Sequence, residues 1–174
     1  QKIVYLRGHN LQNQTIMNGF FKVPVPVNEP ILGYAPGTAA RAELKAALAE
    51  ARSKELDIPM YIGAEEVRSG NTMDLRPPHD HKHKLGHFHV SDASHVSMAI
   101  DAALAAKPKW EALAWEQRAA IFLRAAELIA GPYRAKLNAA TMLGQSKSAF
   151  QAEIDSACEI IDFLRFNVYF MSQI

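Results

Sequence analysis

The sequence lacks the means to cross-link itself, to carry a strong field, or to cross a membrane. Its 174 residues contain a single cysteine, Cys158, so no internal disulfide can form and a reducing compartment suits the chain. Basic and acidic residues number 19 and 18, a balance without the one-signed field that draws proteins to nucleic acid. No stretch approaches the roughly 20 consecutive apolar residues of a spanning helix. Asp and Glu are absent before Glu29, where Lys2, Arg7 and Lys22 are the only charges. That bias hints at a mitochondrial presequence, but the Arg and Ser enrichment of such peptides is missing too. Met17, followed by Asn18-Gly19-Phe20-Phe21, is the alternative natural start after an upstream extension. Asn13-Gln14-Thr15 matches a glycosylation sequon, a three-residue pattern common by chance in a chain that otherwise does not look secreted. With 49% hydrophobic and 21% charged residues, the remainder reads as one soluble globular domain with a real core.

Pro24, Pro26, Pro30 and Pro36 disfavour helix over residues 22 to 37 and predict an extended arm lying on another surface. Thr38 caps a predicted helix through Arg52, with Leu44, Ala47, Leu48 and Ala51 facing inward. Residues 58 to 62 read as a strand returned by Gly63-Ala64-Glu65 in a small hairpin, and 72 to 76 and 84 to 90 as two more strands. Ser91 or Asp92 caps a helix that buries Val96, Ala99, Ile100 and Ala103 and ends near Pro108. Helices over Trp115 to Ala130 and Tyr133 to Leu143 follow, with Pro132 in a first turn and Gly144 as a stop.

The last helix carries the most chemistry. Phe150, Ile154, Ala157, Ile161, Leu164 and Val168 recur at steps of three and four and define a buried face. Ser146 or Ser148 caps it. Asp155, Glu159 and Asp162 stack on another stripe, where like charges oppose helix formation by roughly 0.2 to 0.5 kcal/mol per pair. Water or cationic partners must offset this, and the polar and aromatic run Phe163 to Asn167 suggests that part of the stripe borders a pocket. Cys158 sits mid-helix with no His at helical spacing, and so reads as a small buried hydrophobe rather than a nucleophile. Gly144-Gln145-Ser146-Lys147-Ser148 lacks the spaced glycines and preceding strand of a phosphate loop. Five of the seven histidines, His79, His81, His83, His87 and His89, fall within eleven positions. Alternation would put His79, His81 and His83 on one side of an extended chain. Yet Pro77-Pro78, Asp80, Lys82 and Lys84 describe a solvated turn, and no Cys or Glu cluster completes a metal site.

Larger motifs add a resemblance. Trp115-Glu116-Gln117-Arg118-Ala119-Ala120, Gly131-Pro132-Tyr133-Arg134, Gly144-Gln145-Ser146-Lys147 and Ile161-Asp162-Phe163-Leu164-Arg165-Phe166-Asn167 resemble the delta-1-pyrroline-5-carboxylate dehydrogenases of the aldehyde dehydrogenase superfamily. Asn28-Glu29-Pro30, Ile62-Gly63-Ala64-Glu65-Glu66-Val67 and Pro78-His79-Asp80-His81 match the same family upstream. The resemblance covers residues 17 to 174 and implies an α/β, aldehyde dehydrogenase-like N-terminal part: extended arm, short antiparallel strands, then a helical bundle packed on an NAD-binding domain. Residues 1–37 are then extension and arm, and 38–174 the first part of the NAD-binding domain, with the remainder and the catalytic domain outside these residues. It implies oxidation of L-glutamate gamma-semialdehyde to L-glutamate in proline catabolism, with NAD held mainly by downstream polypeptide. Neither the family's catalytic cysteine and glutamate nor any cofactor or metal ligand is expected here, so these residues alone should be inactive. One site residue carries over: Glu159, in Ala157-Cys158-Glu159-Ile160, matches the helix glutamate that faces the substrate. A carboxylate there would offset the cost of desolvating the substrate's ammonium group. Phe166 and Asn167 are assigned to packing and helix-end hydrogen bonding. Expected partners are the small-molecule substrate, the rest of the chain and further copies in a homo-oligomer, with neither nucleic acid nor membrane, in the cytoplasm or alternatively the mitochondrial matrix. The competing readings are an aldehyde dehydrogenase of other substrate preference and a non-catalytic helical or metal-binding module.

Overall fold

A computed structural model describes residues 21–174. The presequence-like bias through Arg7, the sequon and the Met17 start fall wholly or mainly outside these residues.

The arm has no regular secondary structure through Ala35 and runs across the last helix, as the prolines predict. Helix α1 (Ala39–Ser53) begins where Thr38 Oγ1 accepts the Arg41 N–H, and Leu44 is its buried anchor. The single strand expected over 58 to 62 is in fact two, β1 (Leu56–Ile58) and β2 (Met60–Ile62), because Pro59 has no N–H to continue a ladder. Strand β2 forms the expected hairpin with β3 (Glu65–Val67), turning at Gly63 with φ +62°. Strands β4 (Thr72–Leu75) and β5 (Gly86–His89) pair antiparallel, while β1 pairs with β5 in parallel, giving the order β1-β5-β4. The strands are therefore not all antiparallel. Gly86 makes the parallel contact possible: its φ is +148°, and a Cβ there would lie 2.1 Å from the Leu56 carbonyl oxygen.

Helix α2 (Ala93–Glu111) is capped by Asp92, which accepts the Ser94 and His95 N–H groups; a bond from the Ser94 hydroxyl, then those from His95, hold its carboxyl well below the usual range. The face expected to point inward is open. Val96 and Ile100 are each 54% exposed and none of the helix is buried, since among the described residues it packs only lightly, on β2. The helix also continues past Pro108 to Glu111.

Helices α3 (Trp115–Ala130) and α4 (Arg134–Gln145) follow. Pro132 lies in the turn before α4, which runs through Gly144; the left-handed terminating residue is Ser146, at φ +59°. Ser148 then opens a continuous helix: α5 (Ala149–Ala152), a π-helical segment (Glu153–Cys158) and α6 (Glu159–Met171). Ser148 Oγ accepts the Gln151 N–H and Gln151 Oε1 accepts the Ser148 N–H, a reciprocal cap.

Helix α3 packs along α6, and α1 along α4. Ala126, Ala157 and Ile161 are fully buried at the centre of the first pair, with Ile129, Ala130 and Leu164 around them. Burial of a side chain such as Ile161 stabilises by about 1.5 to 3 kcal/mol. The predicted apolar face holds from Ala157 to Val168 but fails at Phe150, which is 62% exposed. The π segment inserts an extra residue per turn, so Ala152 and Glu153 occupy the inside in its place. None of the described helices is long and apolar enough to cross a membrane.

Candidate functional site

The three stacked acids face different surroundings. Asp155 is neutralised by Lys147 Nζ at 2.9 Å. Asp162 receives the arm, accepting the Glu29 N–H and the Asn28 side-chain amide, each at 2.7 Å. Glu159 is exposed and has no hydrogen-bond or ion-pair partner among the described side chains. It lines a cavity of about 640 Å³ between the arm and the helix, with Asp162, Phe163, Phe166 and Asn167 on the same wall and Asn28 of the arm on the facing one. Aromatic walls with a carboxylate between them suit a small organic molecule bearing a cationic group. Asn167 lies four residues before the end of α6, and its side chain makes no hydrogen bond among the described residues. The helix-end role expected for it is therefore replaced by a place in the cavity wall, which Phe166 shares while also packing on Phe170.

Beneath the cavity lies a charged cluster that the periodicity does not reveal. Glu153 is fully buried. It accepts hydrogen bonds from the Arg134 guanidinium, the Tyr34 hydroxyl at 2.6 Å, the Asn138 amide at 2.8 Å and the Leu32 N–H at 2.8 Å. Burial alone would raise its pKa, but these donors outweigh burial and bring it down to about 2. Arg134 also donates to Glu29 and to the Pro30 carbonyl. Glu29 in turn binds Arg165, which reaches Glu127 on α3 at 2.9 Å. Tyr34 is pushed up to about 12 by burial and by its bond to Glu153. The sequence signals for this cluster are Glu29, Arg134 and Glu153, the last within Gln151-Ala152-Glu153-Ile154-Asp155, all in stretches that match the family.

Cys158 is buried beside it, 3.4 Å from Arg134 Nη2. Burial and the Glu153 carboxylate push its thiol up to about 11, so it is protonated at neutral pH and unsuited to nucleophilic attack. The Gly144–Ser148 turn is likewise committed: Ser146 Oγ meets His79 Nδ1 at 2.8 Å, Lys147 binds Asp155 and Ser148 caps the helix. It offers no free cradle for phosphate.

His79, His81 and His83 do not share one side of an extended chain, because residues 77 to 83 fold into successive turns. The pair that alternates on a strand is His87 and His89 of β5, and both meet Asp57 of β1. No local pattern marks Asp57 as their partner, because it lies thirty residues upstream of His87 and reaches it only through strand pairing.

A model of the Aldehyde dehydrogenase family matches residues 66–174. The chain is 49% identical over 155 residues to Delta-1-pyrroline-5-carboxylate dehydrogenase of Agaricus bisporus, covering 88% of this chain and 28% of that protein. To the mitochondrial Delta-1-pyrroline-5-carboxylate dehydrogenase of Homo sapiens it is 43% identical over 140 residues, covering 80% of this chain and 25% of that one. Its fold is similar to the crystal structure of the Mycobacterium tuberculosis Delta-pyrroline-5-carboxylate dehydrogenase bound with NAD, with a TM-score of 0.88, 47% identity, and coverage of 90% and 30% of the two chains. The chain thus spans less than a third of the length of these relatives.

Proposed function

Because the chain belongs to the aldehyde dehydrogenase family, we propose that it is the N-terminal part of an NAD-dependent enzyme that oxidises L-glutamate gamma-semialdehyde to L-glutamate in proline catabolism. Residues 1–37 comprise the N-terminal extension and the arm, the arm being residues 22–37, and 38–174 act as the first part of the NAD-binding domain. The observation that carries this reading is the unpartnered Glu159 carboxylate in an aromatic-walled cavity, combined with similarity to proteins named for this activity. Glu159 pairs with the substrate's ammonium group, and the arm, held by Asp162 and Glu153, forms the facing wall. NAD accepts the hydride and is held mainly outside these residues; the committed Gly144–Ser148 turn supports that division. The enzyme works as a homo-oligomer in the cytoplasm or the mitochondrial matrix, and the free Cys158 suits either reducing compartment.

The test is NADH formation from glutamate semialdehyde by the complete enzyme and its Glu159→Gln variant. Losing a charge-assisted contact of about 1.5 to 3 kcal/mol should raise KM for this substrate roughly tenfold to a hundredfold. KM for a simple aliphatic aldehyde should stay unchanged. Equal effects on both aldehydes would remove Glu159 from substrate recognition, and equal efficiency of the parent enzyme on both would favour a different preferred substrate.

A further inference from the structure

We propose that Asp57, His87 and His89 form a binding site for a divalent first-row transition-metal ion, separate from the Glu159 cavity and independent of the aldehyde chemistry. Parallel pairing places Asp57 directly beside His87, and strand alternation returns His89 to the same face two residues later. Both imidazole Nε2 atoms lie 3.0 Å from the same carboxylate oxygen, Asp57 Oδ1. Ligands bound at about 2.0 to 2.1 Å around one ion sit roughly 3 Å from their neighbours; the two His–Asp separations already match this, and all three ligand atoms lie within 4.8 Å of one another. Two imidazoles and one carboxylate, with no thiolate, suit zinc, iron(II), cobalt or nickel rather than calcium or magnesium.

The surroundings fit the assignment. Arg68 Nε donates to Asp57 Oδ2 at 2.7 Å and Arg68 Nη1 to Glu66, which holds the carboxylate ionised and oriented with Oδ1 toward the histidines. The His89 side chain is 7% exposed and held in place, whereas His87 at 33% and Asp57 at 41% leave the site open to solvent. One contact must yield. The Gly70 N–H donates to His89 Nδ1 at 3.3 Å, which leaves the proton on Nε2 to bond Asp57. Metal needs Nε2 free, so the proton of a neutral His89 moves to Nδ1 and the Gly70 amide loses its acceptor. Gly70 lies in an exposed turn at φ +77° that can accommodate this change. Metal binding is thereby coupled to the turn joining β3 to β4, and the ion ties β1 to β5.

The experiment adds zinc sulfate to metal-free, nitrogen-15-labelled protein at about pH 7.5. Calorimetry reads stoichiometry and affinity, and the Gly70 amide resonance reports the local change. We expect one saturable equivalent, with the Gly70 resonance shifted on binding. His87→Gln and His89→Gln should each abolish it, while the paired His81→Gln, His83→Gln variant keeps it. His87 is partly exposed, so its variant serves if His89→Gln unfolds. Absence of saturable binding, binding that survives His87→Gln, binding lost only with His81 and His83, or an unmoved Gly70 amide would each overturn the assignment.

Discussion

Two glutamates six residues apart on one helix sit in opposite surroundings. Glu153 is the inner one, enclosed by four donors, and Glu159 faces the cavity. Replacing Glu153 with Gln would leave Arg134 buried without its principal counter-charge, a change that costs about 3 to 5 kcal/mol. Chemical denaturation of Glu153→Gln should read that loss. The same carboxyl gives a signed pH dependence. Its pKa is lower folded, about 2, than its ordinary 4.5, so its contribution is fully present above 4.5 and lost as pH falls from there toward 2. Denaturation profiles across that window should be steeper for the parent protein than for Glu153→Gln; parallel profiles would remove Glu153 as the source. Cys158 illustrates the reverse outcome of the same burial. Desolvation and the neighbouring carboxylate keep the thiol neutral, so thiol-directed alkylation of the native protein at this position should be slow and should accelerate on unfolding.

At the scale of elements, the arm and the π segment are interdependent. Glu153 and Cys158 are five residues apart and stack across one π turn, both beside Arg134. This places an acid where the arm's Leu32 N–H and Tyr34 hydroxyl can reach it. Sequence periodicity foretold the interior from Ala157 to Val168, because that stretch is α-helical or borders it. It misplaced Phe150 and missed Glu153 because a 3.6-residue repeat cannot register an inserted residue. The extended arm and the caps at Thr38, Asp92 and Ser148 were legible, each being a local preference of proline or a short polar side chain. The parallel β1–β5 pairing and the meeting of Asp57 with two histidines were not, since they depend on contacts across some thirty residues. Asp162→Ala tests the arm. Removing the acceptor of two 2.7 Å bonds should weaken docking by about 1 to 3 kcal/mol and accelerate hydrogen exchange at the Glu29 amide. Because the arm forms one wall of the Glu159 cavity, substrate KM in the complete enzyme should rise as well. Gly86→Ala tests the sheet: a Cβ 2.1 Å from the Leu56 carbonyl oxygen must displace β1, costing about 3 kcal/mol or more given the added left-handed strain. Its midpoint of thermal unfolding should fall accordingly.

For the molecule as a whole, the distribution of apolar surface determines how these residues behave without other polypeptide. The α3–α6 and α1–α4 contacts form a closed helical layer with fully buried residues, whereas α2 leaves Val96 and Ile100 at 54% and Leu104 at 61% exposure. These three lie at steps of four and share one face. Phe122, Ile160 and Phe163 add a second exposed apolar group along the α3–α6 groove. Contiguous apolar faces of this kind are uncommon on free monomers, and the helix-period pattern on α2 is that of an element that packs. The 174-residue chain expressed alone should therefore self-associate reversibly at concentrations where a well-covered domain stays monomeric. Sedimentation velocity across a dilution series reads this directly. Substituting Val96→Lys, Ile100→Glu and Leu104→Lys should shift the distribution toward monomer with unchanged far-ultraviolet circular dichroism, since none of the three side chains is buried in the folded layer. A parent chain that is monomeric across the series would show that these faces do not drive association. Association that persists in the triple variant would instead assign it to the α3–α6 groove, where Phe163→Ser becomes the deciding substitution.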